Sequence, residues 1–189
     1  MKEFNSLYFI YTGNAYPHKN LERAIAAIVI LNKENFIKSK TKEKVKLLIV
    51  TSRNVFAERL ERTIKKLGAT EYVELLGFVQ DEKLRTLYEN SVGFIYPSLV
   101  EGFGLPGLEA MNARTILVAS DIPVFREIYG KHAIYFDPKD VISIKAALEK
   151  TLLLTKVEAA AMIKGNKEFI KRYSWEKMAR ETLSVYESI

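Results

Sequence analysis

Two acids and a lysine carry the chemistry that this sequence offers. Glu101 and Glu109 frame a glycine-rich stretch, "PSLVEGFGLPGLEAM" at 97–111, and Lys19 follows the first apolar run within "TGNAYPHKNLERA" at 12–24. Carboxylates so placed can accept strong hydrogen bonds from several hydroxyls of a polyol. Glycines between a strand and a helix let backbone amides approach a phosphate or a sugar, and the helix start favours negative charge. Lys19 and Asn20 sit at another helix start, where the dipole disfavours a cation unless an anion is held there. The plainer alternatives are a solvated Glu101, a Glu109 that merely suits its helix dipole, and a snorkelling surface lysine. His18 in the same turn, and Arg53 after "LIVTS", are further polar groups near these positions.

The glycines alone are weaker evidence. Gly102-x-Gly104-x-x-Gly107 has the spacing of a dinucleotide loop, but that fingerprint stands close behind the first strand of its unit with an acid about 20 residues on. Here it follows the fourth apolar run, Ser98 to Glu101 intervene, and the helix before the distant acid Asp121 is short and opens at Pro106. A nicotinamide or flavin site is therefore not favoured.

The elements that must hold these residues alternate along the chain. Apolar runs at 7–13, 45–52, 72–79, 92–98, 115–121 and 133–138 read as strands. Helical spacing or helix punctuation fills 20–32, about 55–67, 81–90, the segment opened by 97–111, 123–130, 140–154, about 156–172 and 175–188, with Ser174 as a cap for the last. Six buried strands separated by helices describe a doubly wound, Rossmann-like α/β domain: a parallel six-stranded sheet with helices on both faces. Ligands of such sheets sit beyond the carboxyl ends of the strands. The loops that matter are then 12–20, 51–55, 77–81, 97–105 and 120–124.

Composition excludes several classes. The 189 residues suit one domain, and no apolar run approaches the roughly 18 residues that span a bilayer. The absence of cysteine removes disulfides, thiolate metal sites and thiol nucleophiles, and the two histidines are too few for a His-rich metal site. The net charge of +6 is concentrated in "KSKTKEKVK" at 38–46 and again at 164–172. No stacked aromatics interleave these lysines, so nucleic acid is not a predicted partner. They read as solvated faces; membrane association is compatible with them but not indicated. A cytoplasmic location is expected.

The segments "GNAYPHKNL", "LLGFVQDEKLRTLYENS", "FIYPSLVEGFGLPGLEAM", "LVASDIPVFREIYG" and "AIYFDP" resemble the C-terminal, donor-binding domain of the GT-B retaining glycosyltransferases of family 4, the group 1 transferases. The likeness runs from about residue 7 to "YSWEKMARETLSVYE" and centres on Glu101 and Glu109 as a Glu-x7-Glu motif. It implies a nucleotide diphosphate sugar as donor substrate and no metal or other cofactor. It further implies catalytic roles for Glu101, against the donor sugar, and for Lys19, against the departing diphosphate. Glu109 would take the ribose hydroxyls, the amides of Gly102, Phe103, Gly104 and Leu105 the diphosphate and sugar, and Phe78 and Val79 the base. Gly13 and Asn14 would line the same donor site. Many relatives carry arginine at the place of Asn14, for which Arg53 is a candidate substitute, and Arg114 stands where a glycine usually ends the helix. The family has a second, N-terminal acceptor domain that this chain lacks, so the chain is expected to bind a donor as part of a larger transferase. Alternatives are a non-catalytic nucleotide-sugar-binding subunit, half of a nucleotide-sugar epimerase, or a phosphorylase.

Overall fold

In the computed structural model, which describes residues 7–34 and 44–188, six parallel strands form one sheet in the order β3-β2-β1-β4-β5-β6. The elements in chain order are β1 (Tyr8–Thr12), a 3-10 turn (Pro17–Lys19), α1 (Leu21–Lys33), β2 (Lys46–Val50), α2 (Val55–Lys66), β3 (Val73–Leu75), α3 (Asp81–Glu89) and β4 (Gly93–Tyr96). There follow α4 (Leu105–Asn112), β5 (Leu117–Ser120), α5 (Pro123–Tyr129), β6 (Ile134–Phe136), α6 (Val141–Leu153), α7 (Lys156–Phe169), a second 3-10 turn (Ile170–Arg172) and α8 (Trp175–Glu187). Each expected strand is present, shorter than its apolar run, because the run continues as extended chain past the last ladder partner. The basic run at 38–46 falls mostly outside the described residues; inside it, Lys44 pairs with the exposed Glu71.

Strands β1, β4 and β5 are buried along their whole length, as expected of a parallel sheet covered on both faces. The chain winds outward from β1 to β3, then returns and winds the other way from β4 to β6. With right-handed crossovers, the two halves place their helices on opposite faces. The packing follows: α1 lies against α2 and α6, whereas α4 lies against α7. Helix starts are fixed by side chains where the sequence supplies them. Asn54 accepts from the amides of Phe56 and Ala57, Asp140 from that of Ile142, and Thr155 with Glu158 forms a capping box. Ser174 caps α8 by accepting from the Lys177 amide.

α8 differs from the rest. It has no buried residue, and Trp175, Met178, Leu183, Val185 and Tyr186 are all exposed. Among the described residues, no helix is long and apolar enough to cross a membrane.

Candidate functional site

The winding reverses between β1 and β4, and open α/β sheets bind ligands in the crevice at such a reversal. The loops that follow these two strands are joined there: the Leu99 amide donates to the His18 carbonyl at 2.8 Å. Lys19, at the end of the first 3-10 turn, extends to the second loop, with its Nζ 2.6 Å from Glu101 Oε1. Ser98 Oγ donates to the same oxygen at 2.7 Å. Both charged side chains are largely withdrawn from solvent, at 13% and 11% exposure, so the pair is held rather than transient. The ring of Tyr96, the last residue of β4, lies 5.9 Å from Lys19 Nζ.

Buried tyrosines form the floor under this pair. Burial raises the hydroxyls of Tyr11, Tyr96 and Tyr129 well above the ordinary tyrosine range, and the nearby Glu101 charge raises each further. Their hydroxyls also tie down the edge loops. Tyr11 donates to the Asn14 carbonyl at 2.7 Å, Tyr129 donates to the Gly104 carbonyl at 2.5 Å, and Tyr88 bonds Thr12 Oγ1 at 2.6 Å.

The glycines of 102–107 divide by role. Gly104 takes a left-handed backbone with φ 101°, which favours glycine. A Cβ at Gly104 or Gly107 would collide with the Tyr129 hydroxyl, whereas one at Gly102 would meet nothing within 4 Å. Two of the three glycines thus make room for a tyrosine, a reason invisible in the motif itself. The amides of Gly102, Phe103, Gly104 and Leu105 have no acceptor among the described residues; Gly102, Phe103 and Leu105 are exposed, and Gly104 is buried.

Glu109 lies in the second turn of α4, exposed, and without an ion pair among the described residues. With Phe103, Leu105, Asn112, Tyr173 and Trp175 it lines a groove between α4 and α8. Its charge also reaches the Tyr88 hydroxyl, which is bonded to Thr12 at the end of β1.

Other expected residues are placed less favourably. The Gly13 amide is committed to the Val50 carbonyl at 3.1 Å and extends the sheet ladder. The Asn14 side chain accepts only from the Tyr16 amide, at 3.4 Å. Arg53 is exposed and has no ion pair among the described residues. Val79 is 8% exposed, whereas neighbouring Phe78 is 81% exposed. Arg114 adopts φ 61°, the left-handed backbone of the glycine whose place it takes. Among the described residues, no group of three or more His, Asp or Glu side chains is placed to hold a metal ion.

The sequence motif did not reveal Ser98, Tyr96 or Tyr129 as parts of this site. Ser98 and Tyr96 lie in the quoted stretch or just before it, and their strand-end position was the available signal. Tyr129 is 25 residues beyond Gly104, and nothing local marks it.

This arrangement is a doubly wound α/β domain with an acid, a lysine and unbonded loop amides at its reversal, the architecture of a GT-B C-terminal domain. Residues 2–182 match the family described as glycosyl transferases group 1, and the chain belongs to that family. It is 31% identical over 173 residues to the O-antigen chain mannosyltransferase RfbU of Salmonella typhimurium, covering 90% of this chain and 44% of that protein. Among solved structures, the sucrose-phosphate synthase of Thermosynechococcus elongatus superposes with a TM-score of 0.81 at 22% identity, over 97% of this chain and 45% of the other. An E. coli structure of trehalose-6-phosphate bound with UDP-2-fluoro glucose also gives 0.81, at 16% identity, over 98% of this chain and 45% of the other. The chain thus spans about half the length of these relatives.

Proposed function

We propose that this chain is the donor-binding half of a retaining glycosyltransferase, which takes a nucleotide diphosphate sugar and transfers its sugar together with a second half that carries the acceptor. The observation that supports this best is the convergence of Lys19, Glu101 and four unspent loop amides at the sheet reversal. A diphosphate has the charge and the acceptors to use both Lys19 and those amides. Placed before the reaction, they stabilise the negative charge that builds on the leaving diphosphate as the glycosidic bond breaks. Glu101, fixed by Lys19 and Ser98, offers its remaining acceptor capacity to the sugar hydroxyls. Glu109 is free to accept the two ribose hydroxyls, and exposed Phe78 offers a face for the base.

The length of the relatives and the uncovered apolar side of α8 support a second half as partner. On this reading the 189-residue chain binds donor but transfers little by itself. The test is a melting-temperature screen against nucleotide sugars and nucleoside diphosphates. A ligand at about 100 times its dissociation constant stabilises the fold by about 2.7 kcal/mol. The expected outcome is a clear rise with one donor and with its nucleoside diphosphate, lost in Glu109→Ala. No rise across the panel would overturn the reading, and an unchanged rise in Glu109→Ala would overturn the role of that residue.

A further inference from the structure

We propose that Asn20 is the positioning residue that sets Lys19 against Glu101, so that the cation is aimed at the anionic part of the ligand. The proposal rests on the nucleotide-sugar reading above. Asn20 directly follows Lys19 and begins α1, a position where asparagine ordinarily caps the helix with its own side chain. Here the side chain makes no capping bond. The backbone instead takes φ 58°, and the residue is buried, with 4% exposed.

The side chain is spent across the sheet edge. Nδ2 donates to the Pro97 carbonyl at 2.9 Å and to the Pro138 carbonyl at 2.7 Å. Arg23 Nη1 donates to Oδ1 at 2.8 Å, which fixes which end of the amide faces those carbonyls. One side chain therefore clasps the loops after β1, β4 and β6. Pro97 opens the very loop that carries Ser98 and Glu101. A helix cap has been given up, and a left-handed backbone accepted, for contacts whose joint effect is the register of Lys19 against Glu101. The backbone bond from Leu99 to His18 acts in the same sense but lies on the far side of Lys19 from the clasp.

Asn20 touches no ligand in this reading, so its role is separated from a merely structural one by selectivity. Calorimetry on the full chain compares each common nucleoside with its 5′-diphosphate; the ratio of the two affinities measures what the diphosphate adds. Asn20→Gly keeps the left-handed backbone at no steric cost and removes only the clasp. The expected result is an about tenfold fall in that ratio, with nucleoside affinity unchanged, a difference of about 1.4 kcal/mol. If the ratio stays at the unsubstituted value, or if both affinities fall together, the proposal is overturned and the nucleotide-sugar reading stands. If the unsubstituted chain shows no gain from the diphosphate, the reading itself falls, and this proposal with it. Should Asn20→Gly fail to fold by circular dichroism, Arg23→Met serves instead. It removes only the exposed guanidinium that orients the amide, and a ratio unchanged by it overturns the proposal.

Discussion

The inner and outer parts of the site are built in opposite ways. Inside, Lys19 and Glu101 are paired, mostly buried, and fixed through Ser98 and the Asn20 clasp before any ligand arrives. Outside, Glu109 has no partner among the described residues, and Phe78 and Phe103 are exposed. On the proposed reading, the difference separates two tasks. Stabilising a developing charge needs dipoles that do not reorganise during the reaction, so that part is preformed. Recognising a base and a ribose tolerates surfaces that a ligand, or a covering domain, orders on arrival.

Because the inner part stands on buried tyrosines, alkali is expected to remove it most completely. Burial raises Tyr8 and Tyr135 from 10.0 to about 12, and Tyr11, Tyr88, Tyr96 and Tyr129 are displaced further in the same direction. The fold favours the protonated hydroxyls, so their contribution is intact below about pH 10 and drains away as pH rises toward and beyond 12. Full loss of structure is expected in that window. Absorbance at 295 nm, followed with circular dichroism, should show these tyrosines ionising only as the sheet melts; their ionisation in an intact fold would show that the floor is open to water.

A smaller effect separates glycines within one loop. Gly107→Ala, which drives a methyl into the Tyr129 hydroxyl, is expected to destabilise by about 1–3 kcal/mol, as overpacked cores do. Gly102→Ala, with open space around it, should stay within about 0.5 kcal/mol. Urea melts of the two variants provide the check, and equal losses would erase the distinction between tyrosine-facing and open glycines. The smallest effect lies away from both parts. Arg114→Gly should stabilise by about 1 kcal/mol, since the left-handed backbone there costs an L-residue roughly that much. Thermal melts that show no gain would mean the arginine stem recovers the strain through packing.

Much of the fold was legible because its strands are apolar runs and several of its helices carry ordinary caps. The six strands, the helix order and the Ser174 cap all read directly from pattern. Strand ends such as 76–79 did not, since apolar chain continues there after the ladder stops. In the site, Lys19, Glu101 and Glu109 were marked by residue type beside helix starts. The Lys19–Glu101 bond was not, because it joins positions 82 apart. The burial of Val79 was also hidden, as a loop gives no periodicity from which to assign a face. The Asn20 clasp escaped for a related reason: an asparagine before a helix has an ordinary local explanation, and only the coordinates show it is not the one used.

One consequence of the resting ion pair concerns how a ligand is captured. Because the ammonium is already balanced by a carboxylate at 2.6 Å, the crevice presents little bare positive charge to the surroundings. The pair itself therefore adds little long-range steering, which rests instead on the net charge of +6. The attraction becomes available only at close range, when the newcomer supplies oxygens that share the lysine. Discrimination thus falls at the last step of entry, which favours departure of any anion that lacks the remaining contacts.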